Sequence, residues 1–178
     1  MSLTILGIGT VVPQQKIKQH HAALLAGSLL GSKAPAERTM RAMYRQTKIQ
    51  QRFSVVLDES QDGEIIQDFF DPAETQGDRG PTTAKRMQRY EGEATPLATA
   101  AVKKALDRTN IKPAAITHLI TCSCTGFQAP GIDVALMKKF DLSSQISRTH
   151  IGFMGCHGGF NALRVAKAYA ESEPHAVV

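Results

Sequence analysis

Apolar positions along the chain follow two periods. From residue 3, "LTILGIGTVVP" is an apolar run that closes at Pro13, the pattern of a short buried strand ending in a turn. "IKQHHAALLAGSLLG" predicts a helix of about four turns closed by Gly31. "APAERTMRAMYRQT" predicts a second helix, with Pro35 near its start and basic residues three and four positions apart. "IQQRFSVV" then reads as a strand. Residues 57–81 are polar and rich in Asp, Gly and Gln, which predicts a long surface loop with one helical turn around "GEIIQDFF". Long loops are uncommon in compact domains, so this length is itself a hint of function.

"TPLATAAVKKALDRTN" carries the clearest helical signals. Thr95 suits an N-cap, Pro96 a first helical residue and Asn110 a stop, and Leu97, Ala101, Val102, Ala105 and Leu106 form one apolar stripe. "ITHLITCS" follows as an apolar strand, then a Gly/Pro-punctuated loop "CTGFQAPG", a helix "IDVALMKKF", and a strand–elbow–helix in "RTHIGFMGCHGGFNALRVAKAYAESE". Strands alternating with helices predict an α/β layered fold. An apolar strand begins at "PHAVV", which suggests half of a larger fold.

The elbow places Cys156 among glycines, ahead of a helical pattern. Glycines let the backbone turn sharply. Unpaired N–H groups and the dipole of a helix N-terminus favour negative charge there, one recognised way to make a thiol a nucleophile. The bland alternative is a cysteine used as a small buried hydrophobe.

Bulk composition narrows the classes. With 178 residues the chain is long enough for a domain with a real core. It has no run long enough to cross a bilayer, and its start lacks the basic and apolar regions of a signal peptide. Three cysteines, an odd number without a disulfide-like framework, suit a reducing compartment, so a cytoplasmic protein is expected. The net charge of +5 is concentrated in the first half around Arg38, Arg41, Arg45, Lys48 and Arg52. With 6% aromatic residues and no nucleic-acid signature, a phosphate-bearing small molecule suits that cluster as well as a nucleic acid does. A solvated helix face is the plain alternative for each of those side chains.

The block "THLITCSCTGFQAPGIDVALMKKFDL", followed by "MGCHGGFNALRVAKAYAE", resembles the type III polyketide synthases, the chalcone-synthase-like enzymes of the thiolase superfamily. "ILGIGTVVP", "TKIQQRF" and "EATPLATAAVKKAL" fall in the order of that family, so the resemblance spans nearly the whole chain, residues 57–81 matching least. It implies the N-terminal half of a thiolase-like α/β fold: a mixed sheet with helices on both faces, and the nucleophile at the N-terminus of a buried central helix. Residues 1–178 would be that half-domain, with the C-terminal half outside this chain.

By the same resemblance Cys156 matches the family's nucleophile, which carries the growing acyl chain as a thioester. Cys124 and Thr125 match two small positions lining the active-site cavity. Ala129 stands in the loop "GFQAPG" where plant chalcone synthases carry a methionine that reaches into the partner's cavity. Arg41, Arg45 and Lys48 lie where relatives bind the phosphates of coenzyme A. The family's catalytic histidine and asparagine belong to the half outside this chain. The implied reaction is iterative decarboxylative condensation of malonyl-CoA onto a starter acyl group on Cys156. It would be carried out by a homodimer with no metal and no covalently bound cofactor, with neither nucleic acid nor membrane as partner, and the 178 residues alone would be inactive. Three alternatives stand beside it. One is a ketoacyl carrier-protein synthase III-type enzyme, which shares the cysteine elbow. Another is a zinc module of Cys122, Cys124, Cys156 and His157, whose spacing matches no familiar pattern. The last is a non-catalytic fragment that only dimerises.

Overall fold

The structure is a computed structural model and describes residues 3–29, 34–75 and 77–178. Its contacts divide into two compact units, Val12–Lys85 and the combination of Met1–Val11 with Arg86–Val178.

In the unit Val12–Lys85, strand β1 (Lys16–Lys18) runs into helix α1 (Gln19–Ser28), and β2 (Gln51–Phe53) follows helix α2 (Ala34–Gln46). The two strands pair antiparallel, with Lys16 opposite Phe53 and Lys18 opposite Gln51, so the predicted first helix gives up its opening residues to a sheet. Its predicted stop, Gly31, lies outside the described residues. Gln19 holds this corner together. Its amide donates to the Tyr44 carbonyl at 2.8 Å and to Thr47 Oγ1 at 2.9 Å, while its Oε1 accepts from Arg52 Nε at 2.8 Å. A buried side-chain amide is tolerable when its groups are satisfied in this way. The long loop contains a small hairpin, β3 (Asp58–Glu59) with β4 (Ile65–Ile66), where a helical turn was predicted. Two adjacent β-branched isoleucines favour the extended form, and Gly63 at φ +78° turns the chain between the strands.

In the other unit, helix α3 (Thr83–Leu106) corrects the Thr95–Pro96 start, because Pro96 lies inside it. The proline deprives the Gly92 carbonyl of its helical donor. Upstream residues nevertheless sustain the helix: "KRMQRYEGEA" is rich in good helix formers, and Arg89 pairs with Glu93 one turn on at 3.4 Å. The opening segment is also not a buried strand; Ile5, Leu6 and Ile8 are exposed. It lies backbone-first on α3. A Cβ on Gly7 would sit 2.6 Å from the Ala105 carbonyl, and one on Gly9 would overlap the Ala101 carbonyl. Arg108 also donates to the Ile8 carbonyl at 2.8 Å. The glycines serve this close approach.

Strands β5 (His118–Ser123) and β6 (Ser147–Gly152) pair in parallel, with helices α4 (Ile132–Phe140) and α5 (Gly158–Ser172) packed on them. The α/β class is as predicted, and among the described residues the strands form three two-stranded pieces, two antiparallel and one parallel. The strand predicted at "PHAVV" is not formed either. Val177 alone ties back, its carbonyl accepting from Thr117 and His118 N–H at 2.9 and 3.1 Å. His118 is buried, its Nδ1 2.8 Å from Thr117 Oγ1, its Nε2 3.3 Å from Glu173 and its ring against Tyr169 of α5. Helix α5 is covered on one side only. Val165, Ala166, Tyr169 and Ala170 are half-buried, whereas Phe160 and Leu163 are 64% and 56% exposed, so in this chain the expected buried helix has a bare apolar face.

Candidate active site

Parallel pairing of β5 with β6 decides where the chemistry can sit. The register ends with Ser123 opposite Gly152, so Cys124 and Phe153 leave the two strands at one level. Phe153 N–H still reaches the Ser123 carbonyl at 3.2 Å, one residue past the sheet. The chain then turns through two left-handed residues, Phe153 and Gly155, both at φ +58°. Gly155 takes this conformation freely, and the aromatic Phe153 does so at a cost of about 1–3 kcal/mol. Its ring packs edge-on against Phe127, 5.8 Å between centroids.

Cys156 occupies the single 3-10 turn Gly155–His157 that runs directly into α5, and it is exposed. No side chain caps the first turn of α5, so its leading N–H groups have no side-chain acceptor. The elbow closes tightly at Gly158, which is buried. A Cβ there would lie 2.7 Å from Cys122 Sγ and 3.5 Å from Met154 Cβ. Gly159, the last glycine of the G-C-x-x-G pattern, has open space around it. The crowded glycine is therefore the one the pattern leaves variable.

Three thiols converge here. Cys124 is half-buried, and its thiol is pushed above its usual pKa. Partial burial is the largest cause, followed by the charge of Cys156, the hydrogen bond that Cys124 makes with Cys156, and last the charge of Cys122. Cys122, expected inside an apolar strand, is in β5 but exposed; its place in the cluster comes from the contact with Gly158. Among the described residues no three His, Cys, Asp or Glu side chains are grouped to hold a metal ion.

The loop after β5 is pinned by Ser123, whose hydroxyl donates to the Gly126 carbonyl at 2.6 Å and accepts from Gly126 N–H at 3.2 Å. Thr125 and Ala129 lie on this loop, both exposed, and Ala129 precedes a cis proline. Gly126 is buried against the Tyr90 ring, where a Cβ would overlap. Arg148 of β6 pairs with Asp133 in the first turn of α4 at 2.7 Å, fixing the far side of the loop.

The basic candidates lie in the other unit. A cavity of about 430 Å³ there is lined by Lys18, His20, Tyr44, Arg45 and Lys48, with Gln19 at its wall and no carboxylate among the lining residues. Arg45 and Lys48 thus line the same cavity. Arg41 is not among the lining residues; it faces Glu37 one turn away and pairs with it. Lys48 sits at φ +57°, a strained conformation for a long side chain. Lys18, Gln19 and His20 escaped the sequence reading because they precede the basic run and reach it only in the tertiary fold, through the β1–β2 pairing and the packing of α1 on α2.

The unit is thus an α/β protein with an exposed thiol on a strand–turn–helix elbow at the end of two parallel strands. The family model for the N-terminal domain of chalcone and stilbene synthases matches residues 2–178, and the chain belongs to that family. An alpha-pyrone synthesis polyketide synthase-like protein of Mycobacterium tuberculosis is 33% identical over 96% of this chain and 40% of its own length. Type III polyketide synthase 10 of Oryza sativa is 30% identical over 98% of this chain and 42% of its own. The crystal structure of a fungal type III polyketide synthase superposes with a TM-score of 0.74 at 26% identity, covering 98% of this chain and 42% of that one. The fold is thus that of type III polyketide synthases, and the chain spans about 40% of the length of the curated relatives it matches.

Proposed function

We propose that residues 1–178 supply the nucleophile-bearing half of a type III polyketide synthase, in which Cys156 carries the acyl group. The observation that carries this reading is the Cys156 elbow itself, within a chain whose relatives are polyketide synthases. In the proposed reaction the Cys156 thiolate attacks the thioester carbonyl of a starter acyl-CoA, the carbon–sulfur bond to coenzyme A breaks, and the acyl group passes to Cys156 with release of coenzyme A thiol. Malonyl-CoA then loses carbon dioxide, and the resulting enolate carbon attacks the Cys156 thioester, expelling the thiolate and lengthening the chain. A thiolate is suited to both halves, as nucleophile and as leaving group.

The same proposal includes a cytoplasmic homodimer using only coenzyme A thioesters, with Cys124, Thr125 and Ala129 bordering the acyl chain. The rest of the relatives' length would cover the apolar side of α5, and the 178 residues alone would not condense malonyl-CoA. No helix of the described residues is long and apolar enough to cross a membrane.

The direct test is to incubate the protein with a starter acyl-CoA and find the acyl adduct by peptide mapping. An adduct on Cys156 formed from coenzyme A thioesters supports the proposal. An adduct formed only from an acyl carrier protein would replace it with a carrier-protein condensing enzyme.

The cationic cavity carries a second expectation. Phosphates of coenzyme A bound beside Arg45 and Lys48 would make charge-assisted hydrogen bonds. Arg45→Ala and Lys48→Ala are each expected to raise KM for malonyl-CoA about tenfold, the equivalent of a charge-assisted bond worth about 1.5 kcal/mol. Arg41→Ala should have a smaller effect, since its guanidinium is engaged by Glu37. Steady-state kinetics of the three variants check this; an unchanged KM in both Arg45→Ala and Lys48→Ala would remove the cavity from the binding site.

A further inference from the structure

The turn that carries Cys156 is bracketed on the end of β5, by the Phe153 N–H to Ser123 carbonyl bond at 3.2 Å on one side and by Gly158 against Cys122 Sγ on the other. Cys124 leaves β5 at that same end, where Cys156 raises its pKa. Cys156 is exposed, within reach of small oxidants. We propose that Cys124 is the resolving thiol for Cys156, and that a hydroperoxide closes the pair into a reversible disulfide that switches the nucleophile off.

The chemistry balances with hydrogen peroxide as the oxidant. The Cys156 thiolate attacks one peroxide oxygen; the O–O bond breaks, an S–O bond forms and hydroxide leaves, giving a sulfenic acid. The Cys124 thiolate then attacks that sulfur, the S–O bond breaks, hydroxide leaves again and the S–S bond forms. Two thiols lose two electrons and two protons between them, and the peroxide is reduced to two molecules of water. Without a resolving thiol the sulfenic acid proceeds to sulfinic and sulfonic acids, which ordinary thiol reductants do not reverse.

The arrangement also times the second step. While Cys156 is a thiolate, its charge helps to keep Cys124 protonated. A sulfenic acid is neutral, so that restraint is lifted once Cys156 has been oxidised, and Cys124 ionises more easily when its thiolate is needed. Cys122 is the poorer partner: its sulfur lies against Gly158, and it is the weakest of the named influences on Cys124. This inference concerns the thiols alone and holds whichever thioester the enzyme uses.

The test treats the reduced protein with a several-fold molar excess of hydrogen peroxide, enough to carry an unprotected thiol to the sulfonic acid, alkylates the remaining thiols and maps the peptides without reduction. A Cys124–Cys156 disulfide is expected, with Cys122 alkylated and both lost thiols recovered by dithiothreitol. No Lys or Arg separates Cys122 from Cys124, so the Cys122→Ser variant, which should retain the link, makes the assignment. Cys124→Ser and Cys124→Ala should both lose the link and convert Cys156 to sulfinic and sulfonic acids that dithiothreitol does not recover. Over-oxidised Cys156 beside a free Cys124 in the unaltered protein overturns the proposal, as does loss of the link in Cys122→Ser.

Discussion

Cys156→Ala is expected to abolish acyl transfer and polyketide formation by the enzyme, lowering the rate at least about 10³-fold, because no other group replaces the covalent intermediate. The two neighbouring thiols do not substitute for it. Cys124 is half-buried with its pKa raised, so it is predominantly protonated at neutral pH, and a protonated thiol is a poor nucleophile. Cys122 is exposed, but its sulfur is held against Gly158, on the strand rather than at the elbow. Alkylation should follow the same order in the unaltered protein, with Cys156 labelled first near pH 7 and Cys124 only as pH rises beyond the usual thiol range. Peptide mapping of acyl adducts and of alkylated thiols reads both parts. Retention of more than a few per cent of activity in Cys156→Ala, with the adduct moved to Cys124 or Cys122, would refute the assignment.

Gly158→Ala should be the most damaging single methyl group in the elbow. The new Cβ would lie 2.7 Å from Cys122 Sγ, well inside contact distance, with Met154 Cβ 3.5 Å away on another side. Relief requires the sulfur to rotate out of place or the start of α5 to lift off β5, and overpacking of this kind costs about 1–3 kcal/mol. If the helix lifts, the turn carrying Cys156 moves with it, so acylation should slow as well as stability fall. Cys122→Ala makes the room that the methyl group needs, and the double variant should recover most of the lost Tm. A double-mutant cycle on thermal unfolding is expected to show coupling of about 1 kcal/mol or more, as for residues in direct contact. Additive effects would show that the two positions do not share this space. Gly159→Ala, with open space around its Cβ, is the contrasting variant and should be close to neutral.

Much of the candidate site was legible because its signals are local. The helix "IDVALMKKF" appears as α4 with the predicted limits, and the G-C-x-x-G elbow between a strand and a helix is where the pattern put it. Local signals misled where two readings satisfy the same rule. Thr95–Pro96 has the form of a helix start, yet good helix formers upstream carry α3 back to Thr83 and leave the proline inside. The apolar opening run has the composition of a buried strand, but its two glycines serve a close approach to α3, which depends on a helix about a hundred residues away in sequence.

The α/β class, the family and the strand–elbow–helix that carries Cys156 were all readable from the sequence, since each depends on residue types at short, fixed separations. The tertiary structure decided which residues share a site. The parallel register of β5 and β6 brings Cys124 to Cys156, and the contact with Cys122 makes Gly158 the crowded glycine. The β1–β2 pairing and the packing of α1 on α2 add Lys18 and His20 to Arg45 and Lys48. Such choices turn on distances between segments far apart in the chain, and no local pattern of hydrophobic and polar residues encodes them.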